Sequence, residues 1–199
     1  GIAKIATCVN INATNIPDLI SFAKEMSIDL TVVGPEEPLA SGIVDAFRAN
    51  KLCIFGPTKN ASRIEWSKVF ARELMLKFGI PAPQFSVCDS YSKAKSVLEN
   101  TYRLPAVIKC DGLAGGKGTF VCKTEEPADE ALTRIFKNNE FGEESCKKVV
   151  IEEYIGGDEI SVICIVTGNT LVMFEPSQDH KRLYDTDKGP NTGGMGAIS

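Results

Sequence analysis

What this chain lacks narrows its identity first. No apolar run approaches the roughly 20 residues that span a bilayer, and no basic segment followed by an apolar one marks a secretory leader. Basic charge is not in excess: 22 Lys and Arg against 26 Asp and Glu leave a net charge of -4 and a pI near 5.2. Nucleic acid and anionic membrane surfaces are therefore excluded as general partners, although a local anion site is not. The seven cysteines are odd in number, scattered at positions 8, 53, 88, 110, 122, 146 and 164, and contain no Cys-x-x-Cys pair. That pattern excludes a disulfide frame or zinc site and reads as reduced core residues of an intracellular, cytoplasmic protein. There is one histidine, His180, and no internal repeat or low-complexity tract.

What is present is an ordinary globular composition, 43% hydrophobic and 24% charged over 199 residues, enough for one large or two small domains. Residues 1 to about 58 alternate as βα units. Ile16, Leu19, Ile20, Ala23 and Met26 keep helical spacing behind Asn15, with Pro17 in the first turn. A second helix is expected through Leu39, Ile43, Val44 and Phe47. Strands at 30–33 and 53–55 each stop at Gly-Pro before a helical pattern, which predicts a parallel sheet with ligands beyond its carboxyl ends. Glu36 lies at such an end. It suits a sugar hydroxyl, or more simply a favourable charge near a helix N-terminus.

A helix over 61–78 stops at Gly79, and Pro81 and Pro83 read as a crossing into a second domain. From there the pattern is α+β: strand 85–88, helix 90–98, strand 106–109, strand 119–123, helix 127–136, and strands 149–153, 159–167 and 170–175. Residues 176–199 carry little helix or strand signal but many polar and glycine residues.

The most informative stretch joins the strands at 106 and 119: Lys109-Cys110-Asp111-Gly112-Leu113-Ala114-Gly115-Gly116-Lys117-Gly118. Glycines let backbone N–H groups face an anion, and a lysine in the loop adds a mobile charge. It is not a Walker loop, because Asp111 stands where the first glycine belongs and Gly118 where Ser or Thr belongs. Lying between two antiparallel strands, it would cover phosphates as a flap; the plain alternative is a glycine-rich hairpin without a ligand. After the strand at 149–153, Glu152, Tyr154, Ile155 and Glu159 form an extended linker between acids, which suits an adenine edge and ribose hydroxyls, or simply a solvated strand end.

Taken in order, Val-Val-Gly-Pro-Glu-Glu-Pro-Leu (32–39), Phe-Gly-Pro-Thr (55–58), the loop at 108–118, Ile-Glu-Glu-Tyr (151–154) and Gln-Asp-His-Lys-Arg…Gly-Pro-Asn-Thr-Gly-Gly-Met-Gly (178–196) closely resemble the glycinamide ribonucleotide synthetase family. These are ATP-grasp ligases of purine synthesis, also called phosphoribosylamine–glycine ligases. The resemblance implies a partial Rossmann-like pre-ATP-grasp domain over residues 1–60, then an incomplete ATP-grasp domain over 61–199 with a small ATP-lid subdomain at about 84–155. It also implies a longer parent, since the family's opening Gly-Asn-Gly-Gly-Arg-Glu-His-like loop and its closing magnesium-binding block with Arg-Phe-Gly-Asp-Pro-Glu have no counterpart here.

By the same resemblance ATP is held by Lys68, Lys109, Gly112, Gly115, Gly116, Lys117, Gly118, Glu152, Tyr154, Ile155 and Glu159. Glycine and 5-phosphoribosylamine are bordered by Glu36, Asp179, Lys181, Asn191, Thr192 and Gly193. Lys117 and Lys181 supply catalytic charge, and His180 is not required as a base. Mg²⁺, or Mn²⁺ in its place, accompanies ATP, with ligands expected beyond Ser199; the parent is expected to be a monomer or part of a multifunctional polypeptide. Gly115 stands where many relatives are expected to carry alanine, which should loosen the flap. Lys109 and Lys117 are expected to be exposed, so that their removal costs little stability. Competing readings are another ATP-grasp carboxylate–amine ligase and a nucleotide-binding module without catalysis. A Rossmann oxidoreductase is disfavoured, because no Gly-x-Gly-x-x-Gly follows a strand.

Overall fold

The computed structural model describes residues 1–115, 117–186, 188–192 and 194–199, with the side chains of Pro190 and Asn191 left aside. Chain contacts divide it into two compact units, one of Gly1–Ala82 with Asp111–Leu113 and one of Pro83–Cys110 with Ala114–Ser199. In chain order the principal elements are α1 (Ile16–Glu25), β1 (Thr31–Val32), α2 (Glu36–Ser41), α3 (Ile43–Ala49), β2 (Ile54–Phe55), α4 (Arg63–Trp66) and α5 (Lys68–Phe78). These are followed by β3 (Phe85–Cys88), α6 (Tyr91–Asn100), β4 (Ala106–Cys110), β5 (Thr119–Cys122), α7 (Glu125–Phe136), α8 (Glu143–Cys146) and β6 (Val149–Glu153). Short strands close the chain: β7 (Cys164–Thr167), β8 (Thr170–Met173), β9 (Gln178–Asp179), β10 (Arg182–Tyr184), β11 (Lys188–Asn191) and β12 (Ala197–Ile198).

In the first unit β1 and β2 pair in parallel, Thr31 with Ile54 and Val32 with Phe55, as the repeated Gly-Pro endings predict. Asn15 caps α1 by accepting from the Asp18 N–H at 3.4 Å. Ile16, Leu19 and Ile20 then pack against the buried Ile43, Val44 and Phe47 of α3, while Met26 falls at the helix end, exposed. Two continuous helical patterns are broken. Gly42, at φ 91, ends α2 in the left-handed conformation that glycine adopts without steric cost and starts α3. Ser67 is extended (φ -120, ψ 106) and separates α4 from α5, its hydroxyl accepting from the Phe70 N–H at 3.2 Å.

In the second unit four antiparallel strands lie in the order β3-β6-β4-β5. Alternate residues Ala106, Ile108 and Cys110 of β4 and Val149 and Ile151 of β6 are fully buried against Ala94 of α6 and Ala128, Ala131, Leu132 and Ile135 of α7. Alanines let both helices approach the sheet closely. Each fully buried Leu or Ile contributes about 1.5–3 kcal/mol over its exposed state. The register places Phe85, Val87, Val107, Lys109, Thr119, Val121, Val150 and Glu152 on the opposite face, because side chains alternate along each strand.

Residues 176–199 carry more order than their sequence suggests. β9 pairs with β12 and β10 with β11, both antiparallel. The Thr192 N–H donates to the Lys181 carbonyl (2.7 Å), the Met195 N–H to the His180 carbonyl (2.7 Å) and the His180 N–H to the Gly196 carbonyl (2.9 Å). Strands of two to four residues rich in glycine have no legible period, so only the cross-strand partner reveals them. Among the described residues no helix is long and apolar enough to cross a membrane.

The cysteines only partly match the sequence expectation. Cys88, Cys110, Cys122 and Cys146 are buried, but Cys8 and Cys53 are exposed. Burial pushes the Cys122 thiol up to about 11 and raises Cys88 as well. A thiol reagent applied to the native chain should label Cys8 and Cys53 promptly and the four buried thiols only after unfolding, because access is lacking at all four and, at Cys88 and Cys122, thiolate as well. Peptide mapping of the labelled sites would check this, and fast native labelling of Cys122 would refute it.

Candidate functional site

The glycine loop leaves β4 and returns in β5, as its sequence setting predicts. Its neck is closed by the Cys110 N–H donating to the Gly118 carbonyl at 2.8 Å, and a turn inside it by the Lys117 N–H donating to the Ala114 carbonyl at 2.9 Å. Gly115 lies at φ 55 with open space around it, so it uses the backbone freedom of glycine, which bears on the alanine expected there in relatives. Gly118 is needed for a different reason: a Cβ there would stand 2.7 Å from the Cβ of Ala114 and 3.1 Å from that of Cys110. Lys117 is exposed, and Gly116 lies outside the described residues.

The root of the loop is held by residues far away in sequence. The Asp111 carboxylate accepts from the Val69 N–H at 2.8 Å and the Ser67 hydroxyl at 3.1 Å. The Asp111 carbonyl accepts from the Lys68 N–H at 3.3 Å, and the Lys68 ammonium donates to the Gly112 carbonyl at 3.4 Å. Together with Ser67, Asp111 thus satisfies the first N–H groups of α5, which have no partner inside the helix. Sequence reasoning passed over both residues. A serine before a helical pattern was the available signal for Ser67; no local signal marks Asp111, whose partners lie 42 and 44 residues away.

On the sheet face opposite the helices, Lys109 and Glu152 form an ion pair at 2.7 Å, their side chains 24% and 2% exposed. They are diagonal neighbours across β4 and β6, since Val107 pairs with Glu152 and Lys109 with Val150. The expectation of an exposed Lys109 is therefore corrected to a half-buried one: a strand-end lysine facing a buried carboxylate is drawn onto it. Tyr154 and Ile155 follow β6 and are 45% and 63% exposed.

A second cluster sits on the closing hairpin. The Lys181 ammonium donates to the Glu159 carboxylate and lies 3.8 Å from that of Asp179. The Thr192 hydroxyl donates to the Lys181 carbonyl at 3.0 Å and accepts from the Gly194 N–H at 3.0 Å. Hydrogen bonding to Glu159, reinforced by charge, holds the Lys181 pKa above its ordinary value. Lys181 is therefore a cation throughout the neutral range and suits charge stabilisation, not proton abstraction. Asn191 is placed in β11 opposite Arg182, and Gly193 lies outside the described residues. Glu36 is the first residue of α2, exposed beside Glu37, a favourable place for charge at a helix N-terminus. A cavity of about 640 Å³ opens between α6 and α7, with Leu98, Tyr102 and Leu132 among its lining residues, and takes in none of the predicted site residues.

An antiparallel sheet with a glycine loop between two of its strands and a lysine–glutamate pair on the face away from α6 and α7 defines the chain, together with its relatives, as an ATP-grasp protein. Residues 66–199 match the family model of the phosphoribosylglycinamide synthetase ATP-grasp (A) domain and residues 1–65 that of the N domain, and the chain belongs to this family. A phosphoribosylamine–glycine ligase from Halalkalibacterium halodurans is 46% identical over all 199 residues, which cover 46% of that protein. The chain thus spans about half the length of the curated relatives it matches. Among solved structures, the phosphoribosylamine–glycine ligase of Thermotoga maritima is 34% identical with a TM-score of 0.68, covering 83% of this chain and 40% of the other. The biotin carboxylase–β-γ-ATP complex of Campylobacter jejuni, 21% identical with a TM-score of 0.66 over 85% of this chain and 39% of the other, shares the fold.

Proposed function

We infer that a full-length polypeptide containing this chain joins glycine to 5-phosphoribosylamine, yielding glycinamide ribonucleotide, ADP and phosphate through glycyl phosphate, in the cytoplasmic synthesis of purines. ATP supplies the phosphoryl group that activates the glycine carboxylate. The observation that carries this reading is the glycine loop, closed at its neck by Cys110 and Gly118. The residues present fit a polyphosphate. Lys117 is the exposed charge of the loop, Lys109 stands one residue before its neck, and the Lys68 ammonium meets its root at Gly112. The carboxylate inside the loop, Asp111, would repel phosphate, but it is turned onto the Val69 N–H and the Ser67 hydroxyl at the start of α5. In this reading Glu152, Tyr154 and Ile155 border the adenine and Glu159 the ribose, while Asp179, Lys181, Asn191, Thr192 and Gly193, with Glu36, border the acceptor substrates. Mg²⁺ is expected with ATP; among the described residues no cluster of three or more His, Cys, Asp or Glu side chains stands ready to hold it, so no ligand is assigned to this chain.

In such a site charge is neutralised by lysines while the phosphoryl group moves. Product is expected only when glycine, phosphoribosylamine and Mg-ATP are supplied together to the full-length polypeptide, measured by chromatography of glycinamide ribonucleotide. Equal ATP turnover with another amine acceptor would show a different ATP-grasp ligase, and ATP binding without any turnover would show a nucleotide-binding module.

A further inference from the structure

The loop that the proposed function assigns to phosphate has two parts with different attachments. Asp111–Leu113 packs with the unit formed by Gly1–Ala82, whereas β4, β5 and the residues from Ala114 onward belong to the other. The attachment is built from polar groups. The half-buried Asp111 accepts from the Val69 N–H (2.8 Å) and the Ser67 hydroxyl (3.1 Å) through one carboxylate oxygen, and Ser67 in turn accepts from the Phe70 N–H at 3.2 Å. Its carbonyl accepts from the Lys68 N–H at 3.3 Å, and the next carbonyl, of Gly112, accepts from the Lys68 ammonium at 3.4 Å. The N–H groups at the first three positions of α5 are thereby engaged by one cap, and the lysine at the first position is held at both its backbone and its ammonium by the loop root.

A carboxylate in a loop meant for polyphosphate is electrostatically adverse unless it is consumed elsewhere. Here it is consumed, as a charged acceptor at the positive end of an 11-residue helix, where such a charge is stabilised. We propose that Asp111 is a positioning residue for nucleotide binding: it ties the root of the glycine loop to the start of α5 and so sets where the Lys68 ammonium stands. This rests on the reading of Lys68 and the loop as phosphate contacts. Asp111 itself touches no substrate, and its influence runs through Lys68.

The test uses a full-length polypeptide containing this chain, with Lys68→Ala, Asp111→Ala, Asp111→Asn and the Lys68→Ala/Asp111→Ala double variant. The readouts are KM for ATP, kcat and thermal midpoint. Lys68→Ala should raise KM for ATP about tenfold, the loss of one charge-assisted contact. Asp111→Ala should raise it by a similar factor with a smaller change in kcat. Asp111→Asn, which keeps an oxygen to accept from Val69, should raise it by no more than about threefold. In the Lys68→Ala background the Asp111→Ala change should add little to KM, because residues acting through one another are not additive. A merely structural role would lower the thermal midpoint and give effects on KM that multiply. Unchanged KM in Lys68→Ala would defeat the phosphate reading of Lys68 and the proposal with it. A raised KM in Lys68→Ala with independent, multiplying effects of Asp111→Ala would defeat the proposal alone. Should Asp111→Ala fail to fold, Asp111→Asn still decides: a rise as large as that of Lys68→Ala would mean that charge and not the cap is at work.

Discussion

Replacing Lys109 by alanine should cost the chain about 3 kcal/mol of stability, at the lower end of what removing one partner of a buried ion pair costs. The reason is Glu152. Its side chain is 2% exposed and its carboxylate lies 2.7 Å from the Lys109 ammonium, so the substitution leaves a buried charge less compensated. Lys109 is itself 24% exposed, which keeps the effect from the upper end of the range. Urea unfolding followed by circular dichroism would measure it. Glu152→Gln in the Lys109→Ala background should recover part of the loss, since a buried amide is cheaper than a buried carboxylate. In the full-length polypeptide the same Lys109→Ala change should weaken ATP binding by roughly 1.5–3 kcal/mol, the range of a charge-assisted hydrogen bond. A variant within 0.5 kcal/mol of the parent in urea, an ordinary surface effect of roughly that size, would show that the pair carries no structural weight.

The loop glycines should separate just as clearly. At Gly118 the added methyl would lie 2.7 Å from the Cβ of Ala114, 3.1 Å from the Cβ of Cys110 and 3.2 Å from its sulfur. The two Cβ atoms cannot rotate away, so the neck must open and the Cys110–Gly118 hydrogen bond of 2.8 Å must lengthen. Gly118→Ala is expected to cost about 3 kcal/mol, the upper range of overpacking, with faster amide exchange at Cys110. Gly115→Ala meets open space and pays only for a left-handed backbone at φ 55, about 1 kcal/mol. Equal effects of the two substitutions in urea unfolding would mean that the close approach at Gly118 is relieved without cost.

These two predictions rest on features of unequal visibility. The glycine loop between antiparallel strands was legible because a short apolar run precedes it, an alternating strand follows it and the glycines stand together; the strands Phe85–Cys88 and Val149–Glu153 were likewise read at their observed bounds. The paired Lys109 and Glu152 were each visible as site candidates but not as partners. Their pairing depends on the register of β4 against β6, across more than forty residues. The break at Ser67 was hidden for a similar reason. Apolar spacing continues through 61–78, and the acceptor that secures the second helix start is Asp111, 44 residues on. The closing hairpin was missed because strands of two to four residues carry no period of their own.

Local rules of spacing, turn chemistry and motif composition were enough to establish the βα alternation, the sheet with its glycine loop and the family to which the chain belongs. Those rules act over a few residues, where backbone geometry and side-chain period are set. Only the tertiary structure decided which charges are spent on each other: Lys109 on Glu152, Lys181 on Glu159 and Asp111 on the start of α5. Each of those choices is made between residues distant in sequence, and the energy that makes it, charge attraction and hydrogen bonding, to which burial adds a desolvation cost at Glu152, exists only once the chain has brought the two together.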